Sequence, residues 1–189
     1  MTKTSTKTLA AFGIVAGVVG MASALSGMAD AATSGTTDIT ATINETLSIT
    51  AASSVSGTLT NGGAIVELTT SGKTGGPSGY FNVITNHASG YTVSVKAVSS
   101  SSLSNGSTTI PYGTPTAGSS YWAIYAPTTP GGSATRLSTL STTDQTLFTE
   151  NNPTVSTGTT TTVNYKASAN SSQASGTYQG KVTYTVAAQ

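Results

Sequence analysis

The sequence contains no cysteine, a single histidine and a single tryptophan. Without cysteine there is no disulfide, no thiolate metal ligand and no cysteine nucleophile, so stability must come from packing and strand pairing. The single histidine, His87, excludes metal sites that need two histidine ligands. Charged residues make up only 7% of the chain, against about 25% in ordinary globular proteins, while Ser, Thr and Gly are in excess. Solubility therefore depends on hydroxyl groups more than on charge.

The few charges are balanced, with seven basic and six acidic residues and a formal net charge of +1. Nucleic acids and anionic membrane surfaces are bound by clustered Lys or Arg, and the sequence has no such cluster. We therefore expect no nucleic-acid partner. Low net charge also removes repulsion between copies, which is compatible with self-association, although a monomer with a plain polar surface fits equally well.

The N-terminal segment has the pattern of a secretory signal peptide. Lys3 and Lys7 precede an uncharged apolar run over residues 9–19, and a triplet Ala-Asp-Ala then ends at Ala31. We predict cleavage between Ala31 and Ala32. The apolar run is short for a spanning helix, which needs about 20 mostly apolar residues. Membrane contact is therefore expected only through an uncleaved signal segment.

This pattern divides the chain into a signal peptide over residues 1–31 and one domain over residues 32–189. The predicted product is secreted or held at the bacterial cell surface. Its 158 residues fit a single domain with one core, and they retain five basic and five acidic residues.

Period-two alternation recurs along the predicted domain, and no window shows sustained helical periodicity. The clearest strands cover residues 91–97, 161–169 and 178–186. In the last of these, a slip of one residue would move Lys181 into the core, so its register is strongly specified. The last two strands should form a hairpin or face each other across two sheets. Weaker strand candidates cover residues 38–43, 46–50, 64–70, 79–85, 120–126 and 145–149.

These segments predict an all-β chain of about nine short strands, separated by turn sequences such as Asn-Gly and Pro-Gly-Gly. Short strands with one-sided alternation are typical of a two-sheet antiparallel β-sandwich of the Ig-like kind. A closed antiparallel barrel is the alternative, because strand spacing alone does not separate the two.

Several segments resemble those of known surface proteins. Residues 85–95, Thr-Asn-His-Ala-Ser-Gly-Tyr-Thr-Val-Ser-Val, form a polar turn that opens a strictly alternating strand. Further matching segments are residues 103–107, 110–111, 121–125 and 173–186. Over most of residues 38–186 the chain resembles secreted β-sandwich surface proteins of Saccharibacteria and related ultrasmall bacteria. This resemblance implies an envelope location and a sandwich fold, and it implies no activity.

The closing strand is also similar to the end of WxL-type cell-wall-associated domains of Gram-positive bacteria. The Trp-x-Leu signature itself is missing, and Trp122-Ala123-Ile124 is the nearest segment. Tyr184 stands where a tryptophan often occurs in those domains. The similarity therefore does not carry over the attachment to peptidoglycan.

Aromatic residues supply the candidate ligand-binding site. Alternation places Tyr121 and Tyr125 on one face of a strand and Trp122 on the other. Exposed aromatic rings can stack on sugar rings, whereas a lone tryptophan in a sandwich is usually buried. Tyr121 and Tyr125 are therefore the candidate residues for binding cell-wall or host-surface glycans, and Trp122 is predicted to lie in the core.

Catalytic and metal-binding signals are weak. His87 with Asp38 or Asp144 and a serine would be the only familiar nucleophilic arrangement, but no Gly-x-Ser-x-Gly segment occurs. The acidic residues of the predicted domain are scattered and do not have the spacing of a calcium loop or of a close catalytic pair. We predict no catalytic residues, no metal site and no cofactor.

These observations favour an exported, non-enzymatic cell-surface protein with a structural or adhesive role at the bacterial envelope. Sheet edges left open by short strands could accept a strand from a neighbouring copy. A glycan- or cell-wall-binding module that uses its exposed aromatic residues is the alternative. A secreted hydrolase that depends on His87 is a third hypothesis.

Overall fold

A computed structural model describes residues 39–73, 75–154 and 156–189. The described chain is all-β, with eleven strands and no helix in the parts it covers. Residues Thr42–Gln189 form one compact unit. The predicted signal peptide and its cleavage site at Ala31 and Ala32 lie outside the described residues. Within the described ranges, no helix has the length and apolarity needed to cross a membrane.

Every pairing between the named strands is antiparallel. The strands are β1 (Leu47–Ala51), β2 (Val66–Leu68), β3 (Gly79–Thr85), β4 (Tyr91–Ala97), β5 (Leu103–Ser104), β6 (Thr109–Ile110), β7 (Tyr121–Pro127), β8 (Ala134–Arg136), β9 (Gln145–Glu150), β10 (Thr159–Ser168) and β11 (Val182–Ala188).

The strands form a six-stranded sheet, a three-stranded sheet and a small hairpin. The larger sheet has the order β1-β3-β10-β7-β8, and β2 also pairs with β10. The smaller sheet has the order β11-β4-β9, and β5 pairs with β6. The ten-residue strand β10 connects the larger sheet, because its first half pairs with β3 and its second half with β7 and β2.

The two main sheets pack face to face around a shared core. The Phe81 ring lies 6.1 Å from the Phe148 ring and 5.1 Å from the Tyr184 ring, measured between centroids. The hydroxyls of Tyr165 and Tyr184 are 2.6 Å apart and link β10 to β11. The two last strands therefore face each other across two sheets and do not form a hairpin. The all-β sandwich prediction is confirmed, with separate sheets where the alternative was a closed barrel.

The strictly alternating segments adopt the predicted faces. On β4, Tyr91, Val93, Val95 and Ala97 are buried, and the residues between them are partly exposed. Strand β3 covers the predicted range, and β10 extends two residues further toward its N-terminus than expected. Alternation identifies these strands well because one face of each is fully covered by the opposite sheet.

Two strand predictions at the ends of the domain need correction. The described part of the predicted strand at residues 38–43 is not a strand, because the pairing of β1 with β3 ends at Leu47 and Thr85. The last backbone bond beyond this pair runs from the Asn86 N–H to the carbonyl of Thr46. The last strand begins at Val182 and not at Tyr178. The Tyr178 hydroxyl instead contacts the Thr108 hydroxyl at 2.6 Å and donates to the carbonyl of Ala174 at 2.8 Å. These bonds hold Tyr178 in a loop.

Candidate binding face

The outward side of β7 carries the predicted aromatic pair. Tyr121 and Tyr125 face away from the core, whereas Trp122, Ile124 and Ala126 belong to it. Trp122 is only 4% exposed, and its indole N–H donates to the carbonyl of Ser101 at 2.8 Å. Trp122 is thus buried, as the alternation of the strand predicts, and its one polar group has a hydrogen-bond partner.

Tyr121 is the more accessible member of the pair, with 41% of its surface exposed. Its ring packs on the backbone of Gly113, where even a Cβ atom would collide with the ring. The Gly113 N–H also donates to the carbonyl of Trp122 at 2.9 Å, which fixes the loop against β7. Glycine at this position therefore lets the loop support the Tyr121 ring closely and hold its exposed part in place.

Tyr125 is less accessible than predicted because a lysine covers it. The Lys166 Nζ lies 5.0 Å from the centroid of the Tyr125 ring, within the range of a cation–π contact. Tyr125 is consequently half-buried, and the side of its ring under the ammonium group is occupied. Lys166 belongs to this face but was not among the predicted site residues. Its outward direction could be read from alternation, but its proximity to Tyr125 depends on the pairing of β10 with β7.

A shallow groove of about 300 Å³ lies next to Tyr125 on the same outer face. The side chains of Thr160, Thr162 and Asn164 line one wall, and Asn164 is paired directly with Tyr125 in the sheet. The loop at residues 131–132 lines the opposite wall together with β7 and β8 residues. The groove therefore presents hydroxyl and amide groups, and Asn164 places it one strand away from Tyr125. Polar groups near an aromatic ring suit the mixed polar and apolar surface of a sugar.

Tyr80 extends the face on the other side of β10. It is 42% exposed and is paired with Thr162 in the sheet. We refer to the outward-facing side chains of Tyr80, Thr160, Thr162, Asn164, Lys166, Tyr121 and Tyr125 as the outer face. Tyr121 and Tyr125 are four residues apart on one strand, or roughly 13 Å at 3.3 Å per residue. This spacing fits an extended ligand better than a single sugar ring.

His87 lies in the turn before β4, apart from the outer face. Its Nε2 is 3.6 Å from a carboxylate oxygen of Glu45, and its Nδ1 is buried without a partner among the described residues. Asp144 instead pairs with Lys96 at 3.0 Å, near the other end of β4. The structure therefore does not bring His87 and Asp144 together, and Asp38 lies outside the described residues.

The side chains with a raised pKa are tyrosines that belong to the core or pack against it. Burial raises the pKa of Tyr91, Tyr112 and Tyr165, and it raises the pKa of Tyr184 well above its ordinary value. In the described ranges, no three His, Cys, Asp or Glu side chains are grouped closely enough to hold a metal ion. The outer face presents aromatic rings, hydroxyl and amide groups and the cation of Lys166. No family model, curated protein or solved structure matches this chain.

Proposed function

We propose that this chain is an exported, non-enzymatic protein of the bacterial cell surface with a structural or adhesive role at the envelope. The observation that carries the proposal is the outer face, where tyrosine rings and hydroxyl side chains stand on a six-stranded sheet. The N-terminal export pattern and the resemblance to secreted surface sandwiches support the location. Such a surface acts through contact and needs no reacting group.

The composition of the outer face explains why contact would be weak at each point and broad overall. Its strand β10 contributes threonines and one asparagine, with Lys166 as its single cation. Neutral hydroxyls are desolvated at lower cost than charged groups, and few charges mean little repulsion from a neighbouring surface. Many small contacts over a rigid sheet then add up, as an adhesive or packing surface requires.

Localisation on intact cells tests this proposal. Antibody labelling and protease shaving of intact cells should reach the protein, and a high-salt wash should show whether charges retain it. Because the proposed retention uses few charges, we expect most of the protein to resist the wash. Protein found only inside intact cells would overturn the location. An enzymatic turnover that disappears in His87→Ala would overturn the non-enzymatic role.

A glycan-binding module is a second candidate, favoured by the supported Tyr121 ring and the groove beside Tyr125. On an array of envelope and host glycans, Tyr121→Ala is expected to weaken binding about 3- to 10-fold, the range for one aromatic stacking contact. Val98→Ala is the control, since Val98 is also an exposed apolar side chain but follows β4 in the smaller sheet, away from the outer face. Equal loss in both variants would contradict the placement of the site. Absence of binding by the unmodified chain would end this hypothesis.

A further inference from the structure

One side of the sandwich is formed by two neighbouring edge strands that lie close together without backbone pairing. β1, at the edge of the larger sheet, lies beside β11, at the edge of the smaller sheet, and neither strand pairs with the other. We call β1 and β11 the seam. Leu47 on the inward side of β1 is 39% exposed, and Val182, Tyr184 and Val186 on β11 are only partly buried. The core is therefore incompletely covered along the seam.

The seam also lacks the features that usually protect sheet edges. In natural proteins, a charged residue, a proline, a bulge or a short length keeps an edge strand from pairing with another chain. β2 and β8 have three residues each and contain Glu67 and Arg136, respectively. β9 contains Glu150 and pairs with β4 through a register shift. β1 and β11 contain neither a charged residue nor a proline, so this side is the one most open to strand addition.

The chain carries a segment with the properties of an added strand. Residues 39–43, which we call the overhang, alternate isoleucine or alanine with threonine. Ile43 is 85% exposed. Just after the overhang, Asn86 accepts a hydrogen bond from the N–H of Thr46 at 2.7 Å and donates to the carbonyl of Asn44 at 2.8 Å. The overhang thus has strand-like alternation, and none of its residues, all of which the structure describes, belongs to a strand.

The overhang and β11 complement each other in size, spacing and charge. Both present apolar side chains at every second position. With Ala41 opposite Tyr184, the smallest apolar side chain of the overhang meets the largest of β11, and an isoleucine lies opposite each valine. No charge lies inside either paired stretch, so none would be buried.

We propose that the overhang of one copy adds as a strand to the seam of a second copy, so that the chain assembles head to tail. This inference rests on the proposed structural role at the envelope and names a second copy of this chain as the partner. The added strand covers the exposed apolar side chains of the seam and satisfies the backbone groups of β11 that face away from β4. Because donor and acceptor are different surfaces, the contact can continue into a filament.

The first test compares two matched variants of the chain, each expressed with its own N-terminal segment. Ile43→Asp places a charge in the overhang, and Ile65→Asp makes the same change at another exposed isoleucine. Sedimentation velocity over a range of concentrations should show growing assemblies for the unmodified chain and for Ile65→Asp, and monomers for Ile43→Asp. An unmodified chain that stays monomeric throughout would overturn the proposal. Ile43→Asp that assembles like the unmodified chain would also overturn it.

The second test locates the acceptor. A labelled peptide of residues 38–45 should bind the monomeric Ile43→Asp chain, whose seam is free. Adding Val186→Lys in β11 should weaken this binding by about tenfold or more, because a lysine is then buried without a partner. Circular dichroism checks that the doubly substituted chain is folded. A peptide that does not bind Ile43→Asp overturns the proposal, and so does unchanged binding by a folded Val186→Lys chain.

Surface labelling of cells that produce Ile43→Asp separates this inference from the proposed function. Monomers still found at the cell surface, together with assembly of the unmodified chain, support both. Assembly in solution by a chain that never reaches the surface supports the strand exchange and contradicts the envelope role. Surface localisation without any assembly contradicts the strand exchange alone.

Discussion

β4 and β11 have nearly the same pattern, are paired residue by residue, and yet differ in burial. Each has seven residues with apolar side chains at alternate positions. The inward residues of β4 are at most 1% exposed, whereas Val182, Tyr184 and Val186 of β11 are partly exposed. β4 lies between β11 and β9, while β11 has a neighbour on one side only. Position in the sheet, and not the pattern of the strand, accounts for the difference.

The comparison separates two kinds of information. Alternation determines which way a side chain points, because successive residues of a strand face opposite sides. Burial depends on what covers that side, which is decided by strands distant in sequence. In this protein the same pattern therefore supports stability in β4 and leaves an accessible apolar surface in β11.

The largest expected contrast lies at the glycines that precede the two strands. Gly90, before β4, has φ +83°, and a Cβ there would collide with the carbonyl of Glu150. Gly90→Ala should therefore lower the free energy of unfolding by about 3 kcal/mol or more. Gly180, before β11, would place a Cβ 2.8 Å from the end of the flexible Leu103 side chain. Gly180→Ala should cost about 1 kcal/mol or less. Urea unfolding measures both, and similar losses would contradict the contrast.

A second contrast uses Val93 and Val186, which lie directly opposite each other in β4 and β11. Val93→Ala removes two carbons from a fully buried site and should cost about 2–3 kcal/mol, including the cavity. Val186→Ala should cost about 1 kcal/mol, because the side chain is already partly exposed. Urea unfolding of dilute protein tests the difference. Equal losses would mean that β11 is as well covered as β4 under those conditions.

The sequence supports the fold class and the direction of most side chains. Trp122 was predicted to lie in the core and Tyr121 to face outward because their strand alternates without interruption. Three short strands, β5, β6 and β8, were not predicted, because two or three residues are too few to show alternation. The overhang was predicted as a strand from its alternation, which does not reveal that β3 ends before reaching it.

The candidate site was predictable only in part, for the same reason. The exposed fraction of Tyr121 follows from its place on the strand, but its support by Gly113 requires the fold of a loop. The cation of Lys166 reaches Tyr125 only through the register between β10 and β7, which are distant in sequence. Residue types and alternation identify candidate residues of a site, and strand register determines which of these residues are in contact.

The smallest effect concerns the bond that ties β11 to the opposite sheet. Tyr184→Phe leaves the Tyr165 hydroxyl without its partner and should cost about 1–2 kcal/mol near neutral pH. Burial raises the pKa of both hydroxyls, so the folded chain keeps protons that the unfolded chain loses above its ordinary tyrosine pKa of about 10. Stability is therefore lost as the pH rises beyond that value, and Tyr184→Phe should lose less of it than the unmodified chain. Urea unfolding of the unmodified chain and of Tyr184→Phe at neutral and strongly alkaline pH tests this, with Tyr80→Phe, at an exposed tyrosine, as the control. A stability difference between Tyr184→Phe and the unmodified chain that grew with pH would contradict the prediction.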